Sequence, residues 1–177
     1  MKRSIDEALA ALRGLIEDWA AGTARPGIRI FVYPPEWEAA MLARLPIVQQ
    51  RCADAGRTIE LVDAGAVFLA AIDARPGAAE SLAAEEKLGA DVLLGDLNLV
   101  ASRALTALLE SPLPPGAVCR LLVNTGSLGT FLSYSALTNS IAEVEAPAVI
   151  AFPGEGDDHS LNLLNLRADT NYRTARV

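Results

Sequence analysis

Three short apolar runs, each ending at a loop rich in proline or glycine, constrain the fold of this chain more than any other feature. The runs cover residues 28–32, 118–123 and 148–152, and they are rich in the β-branched side chains that are typical of buried strands. Segments with helical periodicity lie between them, and strands that alternate with helices predict βαβ units. The sequence therefore predicts an α/β fold. We expect one three-layer Rossmann-like domain over residues 1–177, with a mostly parallel sheet of four or five strands flanked by helices.

The N-terminal segment carries the signals of a helix. Ser4 and Glu7 have the spacing of a capping box, an apolar seam follows at steps of three and four residues, and Gly22 is typical of a helix end. We expect this seam, which includes Leu12 and Trp19, to pack on the sheet, although its narrowness would also suit a partner. The other predicted elements are a helix that Pro35 opens, a strand over 58–62, helices within 66–111, a helix over 130–141, a short helix over 160–166 and an edge strand over 172–177.

Composition and charge exclude several classes of protein. The net charge of −7 argues against autonomous nucleic-acid binding, because such binding depends on neutralisation of phosphates by Lys and Arg. No apolar run reaches the roughly 18 residues needed to span a bilayer. Asp6 and Glu7 interrupt the hydrophobic stretch that an export signal would need. The two cysteines, Cys52 and Cys119, suit buried thiols in a reducing compartment, so the predicted location is the cytoplasm.

The loops after the three predicted strands should open at one edge of the sheet, where parallel α/β folds bind their ligands. These loops are residues 33–36, 125–128 and 152–159, and an Asn-Tyr-Arg triplet near the C-terminus adds residue types that are frequent in interfaces. Gly126 and Gly154 are expected to have positive φ in these loops. The predicted partner or ligand edge consists of Tyr33, Pro35, Glu36, Trp37, Gly126, Ser127, Gly154, Asp157, Asn171, Tyr172 and Arg173.

The same loops do not contain a complete catalytic set. The turn at Gly126 and Ser127 could hold an anion, but it lacks the lysine and the glycine spacing of a phosphate loop, and no lysine follows Lys87. An acidic cluster around the single histidine could bind a hard metal or perform acid–base chemistry. Its members are Glu36, Asp157, Asp158 and His159. We predict no catalytic residue, no metal and no cofactor.

The order of the motifs resembles the BrxB family, a small component of the BREX (bacteriophage exclusion) defence systems. The shared segments are Tyr-Pro-Pro-Glu at 33–36, Gly-Ser at 126–127, a helix with Leu137 and Asn139, Phe-Pro-Gly at 152–154, then Asp157, Ser-Leu at 160–161 and Asn-Tyr-Arg at 171–173. The succession of Phe-Pro-Gly and Asn-Tyr-Arg is the most specific part. The chain departs from the family at Gly129, Thr130 and Ser133, where an aromatic-proline pair and an arginine are usual. It also lacks one tyrosine of the usual closing motif.

This resemblance implies a non-catalytic adaptor or structural subunit of an anti-phage assembly. The partners it implies are a PglZ-like protein and other BREX-type components, namely a BrxC-type ATPase and a PglX-type DNA methyltransferase. Two alternatives stay open from the residues themselves. One is a degenerate nucleotide- or phosphate-binding sensor at Gly126 and Ser127, and the other is a small metal-dependent hydrolase that uses the acidic cluster.

Overall fold

The computed structural model describes residues 4–75, 90–129, 132, 145–156, 160–163, 167–170 and 175–176. The helices are α1 (Ile5–Ala21), α2 (Glu38–Asp54), α3 (Ala64–Asp73) and α4 (Ala90–Glu110). The strands are β1 (Ile28–Tyr33), β2 (Thr58–Asp63), β3 (Ala117–Val123), β4 (Ala148–Gly156), β5 (Ser160–Leu163), β6 (Arg167–Thr170) and β7 (Ala175–Arg176). Short 3-10 turns at Pro35–Trp37 and Thr125–Leu128 follow β1 and β3.

The sheet has the predicted parallel core. Its strands run in the order β2-β3-β4-β1-β7, and each neighbouring pair in this order is parallel. The far end of β4 pairs with β5 in the antiparallel sense, and β5 pairs in turn with β6. The predicted three-layer α/β fold is therefore confirmed, with a small antiparallel extension that the sequence did not predict.

The side chains of alternate residues in the central strands pack into two separate hydrophobic cores, one on each face of the sheet. On one face Ile150 and Leu122 pack with residues of α3 and α4 such as Phe68. On the other face Val149 packs with residues of α1 and α2 such as Leu12. Since both faces are covered, the strands are nearly continuous apolar runs, which explains why they stand out in the sequence.

The N-terminal helix begins and ends as predicted. The Ser4 hydroxyl accepts a hydrogen bond from the Glu7 N–H, the Glu7 carboxylate accepts one from the Ser4 N–H, and Gly22 closes the helix with a φ of 70°. The suggestion that its seam docks a partner is wrong for Leu12 and Trp19. Leu12 is 0% exposed and Trp19 is 8% exposed, because both belong to the core between α1, α2 and the sheet.

The short helix predicted over residues 160–166 is also wrong, since residues 160–163 form β5. Polar and apolar residues alternate in the sequence Ser-Leu-Asn-Leu, and this alternation suits a strand better than a helix. The extension of β4 to Gly156 supplies the hydrogen-bonding partner. The helix predicted over 130–141 lies outside the described residues apart from Leu132, and of the predicted C-terminal strand only β7 is described, beside β1.

A buried arginine joins the end of α4 to the sheet. Arg120 on β3 is 2% exposed, and its Nε donates to Glu60 on β2 at 2.6 Å. Its guanidinium also donates to the carbonyl of Leu108, and more weakly to those of Ser111 and Pro112. The guanidinium adds to the hydrogen bonds that the Leu108 carbonyl accepts from Ser111, and it supplies a donor to two carbonyls just beyond the helix end.

We expect Arg120→Met to lower the free energy of unfolding by about 3 kcal/mol, because it leaves the Glu60 carboxylate and the carbonyls of Ser111 and Pro112 without this donor. The matched control is Arg44→Met, which breaks an exposed pair with Asp6. The control should cost less than about 1 kcal/mol. Urea unfolding of both variants measures the difference, and equal losses would contradict the role given to Arg120.

Both cysteines are free, buried thiols, as predicted. Burial raises the pKa of Cys119 from 9.0 to about 12, with a smaller contribution from the neighbouring Cys52. The thiol of the unfolded chain therefore ionises at lower pH than the thiol of the folded protein. Below pH 9 this difference in pKa does not change the free energy of unfolding. As the pH rises from 9 toward 12, it lowers that free energy progressively.

The wild-type protein should thus lose about 1 kcal/mol of unfolding free energy through Cys119 alone when the pH rises to 10. Cys119→Val should not show this component. Urea unfolding at pH 7.5 and pH 10 for both proteins isolates it, since all other titrating groups are shared. An identical pH dependence in the two proteins would contradict the assignment.

Candidate functional site

The carboxyl ends of the parallel strands meet at one edge of the sheet, as predicted. Tyr33 at the end of β1 is in register with Pro153 of β4, and Asp63 at the end of β2 is in register with Val123 of β3. The turns that follow β1 and β3 therefore open on the same side. We call this region the carboxyl edge and define it by the Pro35–Trp37 turn, the Thr125–Leu128 turn, Asp63 and β4 from Pro153 onward.

Tyr33 does not form part of the accessible surface at this edge. Its side chain is 1% exposed and lies in the core beside Phe31. Its hydroxyl donates a hydrogen bond of 2.5 Å to Glu38 Oε2 at the start of α2. The prediction that Tyr33 faces a partner is wrong. Tyr33 is the last residue of β1, one residue beyond the strand predicted over 28–32, and its side chain points into the core as that of Phe31 does.

The turn after β1 contains residues of the carboxyl edge that are accessible to solvent. The Trp37 N–H donates to the Pro34 carbonyl at 2.9 Å, which closes the 3-10 turn. Glu36 is exposed at its tip, whereas Pro35 and Trp37 are half-buried and Trp37 packs against the core under α2. Glu38, which follows, has a buried Oε1 atom with no hydrogen-bond partner among the described residues. This turn therefore presents a carboxylate and the outer part of an indole ring.

A polar network fixes the other side of the carboxyl edge. Asp63 caps α3 by accepting from the Ala66 N–H at 2.9 Å. The same carboxylate accepts from the Asn124 side-chain amide at 3.1 and 3.2 Å. The Ser127 hydroxyl donates to the Asn124 carbonyl at 2.7 Å. The bonds between Asn124 and Asp63 link the ends of β2 and β3, and the bond from Ser127 closes the turn on itself, so the turn is held in one arrangement.

The threonine of this turn connects it to the neighbouring strand. Thr125 is 0% exposed, and its hydroxyl donates to the Ala151 carbonyl of β4. A hydroxyl buried in this way must be hydrogen-bonded, because an unpaired polar group in the core is costly. Thr125 therefore ties the turn to the centre of the sheet and is itself inaccessible to a ligand.

The expectation of positive φ at Gly126 and Gly154 is wrong. Gly126 lies within a 3-10 turn, and the left-handed residue of that loop is Asn124 with a φ of 56°. Asparagine is one of the few residues that adopt this conformation readily. Gly154 lies inside β4, is buried and pairs with Leu163 of β5. The prediction that Gly154 belongs to the accessible edge is therefore also wrong.

A different glycine is required for close packing at this site. A Cβ atom at Gly65, in the first turn of α3, would lie 2.8 Å from Ser127 Oγ and 3.2 Å from both the Asn124 amide and the Asp63 carboxylate. The network around Asp63 therefore forms only because this position has no side chain. Sequence reasoning missed Asp63, Asn124 and Gly65, although an aspartate that directly follows a strand and precedes a helix is a recognisable cap signal.

The electrostatics of the edge do not favour an anion at the glycine-serine turn. The Asp63 carboxylate lies beside Asn124, and the Thr125–Leu128 turn is only four residues long. Ser127 is exposed, but its hydroxyl already donates to the backbone. Within the described part of the chain, no three Asp, Glu, His or Cys side chains gather to hold a metal ion. Six predicted residues lie outside the described residues, namely Asp157, Asp158, His159, Asn171, Tyr172 and Arg173.

Comparison with known proteins finds no relative of this chain. No protein-family model, no curated protein and no solved structure matches this chain. Among the helices that the structure describes, none is both long enough and apolar enough to cross a bilayer. The class that can be stated at this point is that of a three-layer α/β fold with a parallel core and a rigid carboxyl edge.

We expect Gly65→Ala to lower the free energy of unfolding by about 1–2 kcal/mol, because the new methyl group displaces the Ser127 hydroxyl from its hydrogen bond. The second change Ser127→Ala should recover part of this loss by removing the nearest atom. The matched control is Gly95→Ala in α4, where nothing lies within 4 Å of the added Cβ and helix propensity improves. Chemical unfolding of the three proteins tests the network, and a neutral Gly65→Ala would contradict it.

Proposed function

We propose that this chain is a cytoplasmic, non-catalytic adaptor subunit of an anti-phage assembly of the BREX type, and that it binds a PglZ-like protein. The proposal is supported by the order of the BrxB-like motifs along the chain. These motifs come from three separated segments that meet at the carboxyl edge, where Tyr33 is in register with Pro153. This convergence is the observation that carries the proposal.

The contacts of the shared residues suit an adaptor better than an enzyme. The shared Tyr33 donates to Glu38, and Thr125, which directly precedes the shared Gly126–Ser127 pair, donates to the carbonyl of Ala151, so both side chains hold the edge together. A family can share such residues because they preserve a surface and not because they perform a reaction. The accessible part of that surface is the turn with Glu36 and Trp37.

The sensor alternative has less support. A phosphate at the Gly126–Ser127 position would lie near the carboxylate of Asp63, which is held there by the amide of Asn124. Like charges at such short range oppose binding. The hydrolase alternative depends on residues beyond Glu36 that lie outside the described part of the chain, and no observation in the described part favours it.

The first test is to look for a gene for a PglZ-like protein beside the gene for this chain and to copurify the two proteins. We expect Glu36→Arg and Trp37→Ala each to weaken that binding by at least about 1 kcal/mol, or roughly fivefold, because both sit on the accessible turn and tryptophans often dominate interface energy. The charge-matched control is Glu110→Arg, at the end of α4 and therefore at the opposite edge of the sheet. Calorimetric titration gives the dissociation constants.

Trp37 also packs against the core, so the melting temperature of the Trp37→Ala variant must be measured as well as its affinity for the partner. Glu36 is exposed, and its replacement should leave the melting temperature unchanged. A neighbouring PglZ-like protein that does not bind the wild-type chain would contradict the proposed function. Normal binding by both edge variants would place the interface elsewhere on the molecule.

A further inference from the structure

A groove runs between α1 and α2 on the outer surface of the molecule, on the side of these helices away from the sheet. Its volume is about 300 Å³. This lies at the lower end of the range for binding sites, large enough for a few side chains of a partner. We call it the α1–α2 groove. It is lined by Asp6, Leu9, Ala10, Arg13, Arg44, Ile47, Val48 and Arg51.

The charge of the groove is opposite to the charge of the whole chain. Three arginines and one aspartate line it, whereas the chain has a net charge of −7. Arg44 pairs with Asp6 at 2.6 Å and Arg13 pairs weakly with Glu17 at 3.7 Å. Arg51 is exposed, and its guanidinium has no hydrogen bond or ion pair within the described residues. The groove therefore keeps a positive charge that is not neutralised.

The floor of the groove is apolar. Ile47 is 51% exposed and lies on α2 between Arg44 and Arg51, at helical spacings of three and four residues that place all three on one face. Leu9 of α1 lines the groove opposite it. The half-exposed isoleucine offers apolar contact to a ligand, and the arginines on either side of it offer hydrogen-bond donors to the same ligand.

We propose that the α1–α2 groove binds a short amphipathic segment of a partner protein that carries acidic residues. An apolar side chain of the segment covers Ile47 and Leu9, and its carboxylates bind Arg51 and the neighbouring arginines, since guanidinium groups match carboxylates well. The apolar floor distinguishes this ligand from a nucleic acid, whose phosphates would gain nothing from contact with Ile47 and Leu9. The inference rests on the proposed function only in that the chain binds another protein.

The groove extends the surface proposed at the carboxyl edge. Trp37 precedes α2 and Arg44 lies seven residues further along, a distance of about 10 Å at the rise of an α-helix. A partner that contacts the Glu36–Trp37 turn can therefore place a following segment in the groove. Two adjoining contacts on one helix would raise the affinity above that of either contact alone.

The groove can be tested without the natural partner. The probe is a fluorescent synthetic helical peptide of leucine, alanine and glutamate, with leucines on one face and glutamates flanking them. The two comparison probes are the same peptide with lysine in place of glutamate and a single-stranded oligonucleotide of similar charge. Fluorescence anisotropy on the full chain should show saturable binding of the acidic peptide and none of the lysine peptide.

Two groove variants and two matched controls decide the outcome. Ile47→Ser and Arg51→Glu should each weaken peptide binding by about fivefold or more. Leu69→Ser and Arg103→Glu change equally exposed residues on α3 and α4, across the sheet, and should leave binding unchanged. All four positions are on the surface, so circular dichroism melting should show folded proteins.

Three results would overturn the inference. The first is that the acidic peptide does not bind at 1 mM, a weak limit for a specific site. The second is that the acidic peptide binds the Ile47→Ser and Arg51→Glu variants as tightly as the wild-type chain. The third is that the oligonucleotide binds more tightly than the acidic peptide, and that its binding depends on Arg51 but not on Ile47. None of these results depends on the PglZ-like protein. The groove and the proposed partner can therefore fail separately.

Discussion

Burial of the central strands on both faces is the constraint on which the rest of this structure depends. Ile150 and Val149 are neighbours in β4, yet each lies in a different core, and both are 0% exposed. A strand of this kind requires helices above and below it, which α1 and α2 supply on one face and α3 and α4 on the other. The parallel order of the strands then brings the turns after β1 and β3 to the same edge.

The carboxyl edge is built from contacts that leave few polar groups free. Asp63 is shared between the cap of α3 and the amide of Asn124, and Thr125 is bound to the centre of the sheet. Such an edge is rigid, and a rigid surface loses little conformational freedom when a partner binds. The α1–α2 groove has the opposite character, because Ile47 and Arg51 are exposed and lack partners of their own among the described residues.

Much of the fold could be predicted because its signals are local. The apolar runs at 28–32 and 148–152 carry their strand signal in their own residues, and the convergence of their ends follows from parallel order. The errors arose where contacts with neighbouring elements decide the outcome. Residues 160–163 became a strand because β4 continues beside them, and Tyr33 is buried because it shares with Phe31 the sheet face that α1 and α2 cover. The groove was missed because it exists only when two helices that are separate in sequence lie side by side.

Arg120 also bears on the route by which the chain folds. Its contact with Leu108 spans 12 residues, whereas its contact with Glu60 spans 60. Short loops close at lower entropic cost than long ones. We therefore expect α4 and β3 to assemble first as a hairpin-like unit around the guanidinium, with β2 joining later. During that interval the arginine is a charged group at an open strand edge, and its charge discourages another chain from pairing there before Glu60 arrives.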